Sequence, residues 1–402
     1  MKTLSRLGFL IPVTLAVVRG QAVSPVILTQ QDAAGNTVGV VQHSFPLLVA
    51  PQNPAQPGEV LTLFATGLGP TNPAVAAGAP APSSPPAVTT SMPLVNAGCQ
   101  TLVIASQLVP GAVGLYEVTF KVPAGVAGNQ PLSLAIGGKT SNTVFLPVSG
   151  SGSTGPPPAI SLVANAFGEV PLIAPNTWVE IKGSNLAPPG DSRIWLDSDF
   201  VTKRLPTQLD GVSVTVNGKA AYVYYISSTQ VNILTPPDPL SGPVQVCLAA
   251  GGVASNVATV QAQSQSLSFF EFVSAAGLHY VYGRHGGDGS LIGPRGLFPN
   301  APALTTPVKP GEPIYVAANG FGSTNVPVAS GGLTQGGTLP PPFPVVKIGG
   351  VQANVSFAGL VGAGTYQINM TVPDNVPDGD LSLTATYNGL SIQSNLLITV
   401  QR

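Results

Sequence analysis

A chain of 402 residues with only 8% charged residues and a formal net charge of −1 offers no basic patch for nucleic acid and no polybasic stretch for an anionic membrane. Its 44% hydrophobic content is enough to build real cores. The 47 glycines and 42 prolines fall between short Val, Leu, Ile and Thr runs, where they read as turn punctuation rather than disorder.

The first 22 residues, MKTLSRLGFLIPVTLAVVRGQA, place Lys2 and Arg6 ahead of an apolar run from Leu7 to Val18, followed by the small residues Gly20 and Ala22. This is the pattern of a secretory signal. The run is shorter than the roughly 18–20 apolar residues that span a bilayer. Residues 1–22 are therefore expected to be a cleaved signal. The mature chain is expected to have no transmembrane segment and to be secreted, held at the cell surface or periplasmic.

Beyond residue 23 the strand signal is nearly continuous, and the fold class it predicts is all-β. Four landmarks recur. The first is an opening strand and turn, VLTLFATGLGP, WVEIKGSNLAP and PIYVAANGFGS, with the turn glycine read as Gly67, Gly183 and Gly320. The second is a tight hairpin near Gly98, Gly218 and Gly350, where Asn217-Gly218 and Gly349-Gly350 supply positive φ. The third is a strand closed by Pro123, Pro236 or Pro373, since proline cannot continue a ladder. The fourth is a Ser-Asn pair at Ser141-Asn142, Ser255-Asn256 and Ser394-Asn395. First and last landmarks stand 74, 72 and 74 residues apart. Three β-sandwich modules follow from this, at 23–149 with a preceding hairpin, 159–262, and 310–402. A Gly/Ser/Pro linker covers 150–158, and a connecting hairpin covers 263–309. The middle module is expected to lack such a hairpin. Period-two alternation assigns Tyr116, Val118, Phe120 and Val122, Tyr366, Ile368, Met370 and Val372, and Val212, Val214 and Val216 to the cores.

Two stretches carry a family resemblance. ISLVANAFGEVPLIAPNTWVEIKGSNLA with the following LPTQLDGVSVTVNGKAAYVYYISSTQVNILTP, and PGEPIYVAANGFGSTNVPV with VVKIGGVQANVSFAGLVGAGTYQINMTVPDNVPDGDLSLTATYNGLSIQSN, resemble an uncharacterised secreted domain family of Acidobacteria, of the Solibacter C-terminal type. Residues 24–149 resemble a further copy of its second half. The resemblance implies immunoglobulin-like, TIG-like sandwich repeats and export. It implies no activity and no site residues.

The chemistry-bearing residues are sparse. His279, His285 and Asp288 share one hairpin, where they could meet as metal ligands or form a polar tip. Asp374, Asp378 and Asp380 could hold calcium through carboxylate oxygens, and Asp378-Gly379 could equally be a plain turn. No other cofactor is implied, no catalytic motif is present, and the chain reads as a non-enzyme. The loop from Ala187 to Pro206 gathers Asp191, Arg193, Asp197, Asp199, Lys203 and Arg204 around Trp195, and Tyr222 and Tyr224 share a strand face nearby. An exposed Trp among charges is a contact residue for a protein or a sugar, and a buried anchor is the alternative. Cys99 follows a turn of one module and Cys247 lies mid-strand in another, so a bridge would have to join modules. Two shielded free thiols are the expectation. The function that results is a secreted structural, adhesive or assembly protein with a protein or polysaccharide partner. The alternative is a carbohydrate-binding accessory protein or the remnant of a glycoside hydrolase.

Overall fold

A computed structural model describes residues 24–31, 37–43, 47–152 and 155–402. The signal segment and positions 153 and 154 of the linker lie outside the described residues. The chain is all-β and forms three two-sheet sandwiches. Among the described residues no helix is long and apolar enough to cross a membrane. In the first sandwich, one sheet centres on Val60–Thr66, Leu115–Lys121 and Val103–Leu108, and the facing sheet on Val144–Val148, Gly128–Ile136 and Leu94–Ala97. The other two repeat this plan. Trp178–Ser184, Gln230–Leu234 and Tyr222–Ser227 face Ala258–Ala262, Gly242–Ala250 and Val212–Val216. Pro313–Asn319, Thr365–Thr371 and Asn354–Gly362 face Leu396–Val400, Gly379–Tyr387 and Val345–Ile348. The residues that alternation assigned to the cores are all buried.

The hairpins are parts of the sandwiches rather than connectors. Val26–Ile27 pairs with Val60–Thr66; the chain then crosses to the other sheet, and Thr37–Gly39 runs parallel to Val144–Val148. Ser268–Phe269 and His279–Val281 repeat this against Pro313–Asn319 and Leu396–Val400. The middle sandwich, expected to lack the feature, has a reduced form of it. Ala159–Asn165 pairs with Trp178–Ser184, and Leu172–Ile173 runs parallel to Ala258–Ala262.

Two landmarks shift. The positive-φ residues after the opening strands are Gly67, Asn185 and Gly320, with φ of 77°, 55° and 72°. Gly183 lies inside its strand, where a Cβ would stand 2.0 Å from the Ala159 carbonyl oxygen, so its glycine serves close approach and not a turn. The Ser-Asn pair works as a clip in the first two modules. Asn142 accepts from the Ile27 N–H at 2.8 Å, and Asn256 accepts from the Ile160 N–H at 2.7 Å. In the third module Gln393 holds Phe269 in the same way, at 2.9 Å, so the equivalent pair is Ile392-Gln393 and not Ser394-Asn395. Backbone bonds fix the register: Ser141, Ser255 and Ile392 each donate to the residue seven positions earlier.

The thiols are not free. Cys99 and Cys247 form a disulfide with Cα atoms 5.7 Å apart. The sequence reading treated the modules as separate, yet the lower end of the first sandwich rests on the flank of the second. Ser213 donates to the Ala124 carbonyl at 2.7 Å, and the Ala127 N–H donates to Gly252 at 3.0 Å. This covers the outward residues Ser213, Thr215, Cys247 and Ala249, so Val212–Val216 is buried on both faces. The second and third sandwiches meet through a buried polar network. Asn165 Oδ1 accepts from Ser268 Oγ (2.8 Å) and Asn319 Nδ2 (2.9 Å), and Asn319 Oδ1 accepts from the Trp178 N–H (2.8 Å).

Candidate functional site

The segment 187–206 is more ordered than a long loop. Ser192–Ile194 adds an edge strand to Tyr222–Ser227, and 3-10 turns follow at Asp197–Asp199 and Val201–Lys203. The edge strand delivers Trp195, whose N–H bonds the Tyr224 carbonyl at 2.9 Å. The Trp195 ring then meets Tyr224 at 4.8 Å, Phe200 at 5.2 Å and Trp178 at 5.9 Å, each edge to face. Trp195 is half-buried, a position between the exposed contact and the core anchor that the sequence left open. Around it Ile194, Leu196 and Val201 are 47%, 57% and 73% exposed, so the surface beside the rings is apolar.

The charges sort into three groups. Arg193 is clamped between two carboxylates, with Nη2 to Asp210 at 2.8 Å and Nη1 to Asp199 at 2.7 Å. These bonds raise the guanidinium's proton affinity and hold Asp210 and Asp199 below the usual carboxylate range. Arg204 and Tyr222 are drawn into the seam with the third module. Arg204 Nη1 donates to the Ser330 carbonyl at 3.2 Å, and the buried Tyr222 hydroxyl lies 2.6 Å from Ser330 Oγ. Asp197 and Lys203 face solvent, and Asp191 sits half-buried at the start of the segment. Beside this seam a cleft of about 660 Å³ opens between all three sandwiches, with Lys121, Arg204, Lys219 and Asp238 among its lining residues.

The three aspartates that could hold calcium or form a plain turn do not converge. Asp374 is exposed, Asp378 pairs with Arg402 at 2.7 Å, and Asp380 lies on a strand where Tyr280 and Thr399 donate to it at 2.8 and 2.6 Å. Burial, and then the Asp380 carboxylate, push the Tyr280 hydroxyl up to about 12. Among the described residues no group of three His, Cys, Asp or Glu side chains is placed to hold a metal. His279 and His285 lie on opposite sheets, so they do not meet. His279 Nδ1 is 3.2 Å from Glu271, and His285 Nδ1 is 2.6 Å from Glu312. The first module repeats the second of these pairs with His43 and Glu59 at 2.6 Å.

Sequence reasoning missed Trp178 and Phe200 as members of the ring cluster. Trp178 alternates with Glu180 and Lys182 on the strand's outward face, and a large ring on a charged face signals that something covers it.

Residues 172–269 match the IPT/TIG domain family, a range that covers most of the middle sandwich and ends in the first strand of the third. No curated protein matches the sequence. Among solved structures, the chain is similar to SGBP-B of the Bacteroides ovatus mixed-linkage glucan utilization locus, in complex with a mixed-linkage heptasaccharide. The identity is 12%, over 94% of this chain and 70% of that one, with a TM-score of 0.27. It is also similar to the plexin A4 extracellular region, at 12% identity over 97% of this chain and 35% of that one, with a TM-score of 0.20. A third is the gamma-CGTase from alkalophilic Bacillus clarkii, at 16% identity over 85% and 37%, with a TM-score of 0.19.

Proposed function

We propose that this chain is an exported, non-enzymatic protein whose three sandwiches act as one fastened body and present a contact surface to a protein or polysaccharide outside the cell. One observation carries the reading: consecutive modules are joined by fastenings rather than strung on linkers. The disulfide joins the first to the second, and the Asn165–Asn319 network joins the second to the third. A buried disulfide persists in an oxidising compartment, which supports export as the signal-type N-terminus does. The contact surface is the Trp195 segment with its apolar border. The protein belongs, on this reading, with the secreted Acidobacteria family that the sequence resembles, and its modules divide at 149–158 and near 263. Small-angle scattering of the mature chain tests the proposal. A single compact profile that loosens on reduction is expected, and a profile of independently moving beads in the oxidised protein overturns it.

A second reading is carbohydrate binding. It is favoured by a cluster of half-buried rings with part of their surface open, Trp195 and Tyr224 among them. Affinity electrophoresis against soluble polysaccharides tests it.

A further inference from the structure

The outward face of the third module's eight-stranded sheet carries side chains that a solvated face does not need. Its inward residues Ile314, Val316, Tyr366, Ile368 and Met370 close the core. Its outward residues are set by register. Arg284 lies opposite Tyr315, Tyr315 opposite Asn369, and Asn369 opposite Phe357, one row across four strands. In the next row Ala317 lies opposite Gln367, and the Ala317 N–H bonds the Tyr282 carbonyl at 3.1 Å. Gln367 Nε2 donates to Asn369 Oδ1 at 2.7 Å, which ties the two amides together. A groove of about 170 Å³ runs between Tyr282, Arg284, Tyr315 and Gln367.

The rings do not stop at the groove. Tyr282 stands 5.2 Å from Phe272, and Phe272 stands 5.0 Å from Phe298. All three are half-buried, as is Tyr315. The first module has the same sheet without this decoration: Thr62 lies opposite Thr119 where the third module places Tyr315 opposite Asn369. The rings are thus not demanded by the sandwich.

Half-exposed rings offer flat apolar faces, and the amides and guanidinium beside them offer fixed donors and acceptors. A pyranose presents the complement, with C–H groups on its faces and hydroxyls around its rim. We propose that this face, centred on Tyr282 and Tyr315 with Arg284, Gln367 and Asn369 as hydrogen-bonding groups, binds a polysaccharide chain of neutral pyranose units. The proposal rests on the carbohydrate reading above and moves its site from the Trp195 segment to the third module.

The test uses the full mature chain in affinity electrophoresis against soluble β-glucan, xylan, galactomannan and polygalacturonate. Retardation by at least one neutral polysaccharide is expected. Tyr282→Ala and Tyr315→Ala should each weaken it about tenfold, about 1.4 kcal/mol. Gln367→Ala, a surface change that leaves the core intact, should weaken it several-fold and serves as the readout if a tyrosine variant fails to fold. Met92→Ala, at an exposed position of the first module, should bind as the parent does. Binding lost in Trp195→Ala and kept in the tyrosine and glutamine variants overturns this site and leaves the carbohydrate reading standing. Retardation by none of the four polysaccharides overturns both. Retardation by polygalacturonate alone overturns the neutral ligand class.

Discussion

Replacing both Cys99 and Cys247 with alanine removes the covalent tie between the first two sandwiches without stranding a thiol. The tie closes a loop of 148 residues. In the chain-entropy account of disulfides, a loop of that length restricts the unfolded chain by about 5 kcal/mol. Each kcal/mol moves the melting temperature of a 150–250-residue unit by about 2–4 °C, so the double variant should melt roughly 10–20 °C lower if the two sandwiches unfold together. The contacts that remain include the hydrogen bonds from Ser213 to Ala124 and from Ala127 to Gly252, the bridge between Val126 and Gly252, and the packing of Ala249 against the first core. They do not restore the lost restriction, because they vanish with the native state. Calorimetry measures the shift, and a non-reducing tryptic digest checks that the parent yields one cross-linked peptide holding both cysteines. A double variant that melts within about 2 °C of the parent would refute the reasoning, since a loop restriction counts only when both ends of the loop unfold in one transition. Recovery of both cysteines as alkylated free thiols from untreated protein would refute it at its root.

Asn319→Ala should cost roughly 1–4 kcal/mol in chemical denaturation, because it strands the part-buried Trp178 N–H, at about 1–3 kcal/mol, and removes one of the donors to Asn165, at about 1 kcal/mol; a cost below about 0.5 kcal/mol would show that the network is not a fastening. Trp195→Ala should cost roughly 2–3 kcal/mol rather than the small penalty of a surface site, since its half-buried ring touches three others; an unchanged denaturation midpoint would contradict this. Burial raises the Glu180 carboxyl above its ordinary value of 4.5, against the pull of Lys182. The folded state therefore holds this proton more tightly than the unfolded state, and the resulting stability is present at acid pH and lost as pH rises from 4.5 through the raised value. Glu180→Gln should accordingly raise the melting temperature more at pH 7 than at pH 4, and an equal shift at both would count against the assignment. Protease cutting within 149–158 should release separate fragments on a gel only after reduction, because Cys99 and Cys247 lie on opposite sides of the cut.

What the sequence made legible was whatever repeats locally. Tyr116 to Val122 and Tyr366 to Val372 alternate with period two because one sheet face is buried, and no distant contact disturbs the pattern. Between modules the same rule loses its grip. Val212–Val216 still alternates in chemistry, Val with Ser and Thr, yet all five residues are buried because another sandwich lies over the outer face. The outer residues Ser213, Thr215, Cys247 and Ala249 are small and uncharged, and that is the trace the contact leaves in the sequence. It is weak, because a solvated sheet also tolerates Ser and Thr. The disulfide was illegible for the same reason: its partners are 148 residues apart, and only the docking of two modules brings them together. The two displaced landmarks show a different limit. Asn185 and Gln393 perform tasks that the other modules give to glycine and asparagine, since Asn tolerates positive φ and a longer amide can reach the same backbone pair. Matching letters located Gly183 and Ser394-Asn395, whereas matching physical roles locates Asn185 and Ile392-Gln393. The outward row of Tyr315, Asn369 and Arg284 has no signature as a row, because its members come from three separate strands and register alone makes them neighbours. A surface of that kind follows from sheet pairing once the fold is known. The rings that broke the polar pattern of their strands, Trp178, Tyr282 and Tyr315, were the marks the sequence did carry: each stands where a solvated face calls for a small or charged residue, and each points to a covering partner, within the chain for Trp178 and outside it for the two tyrosines.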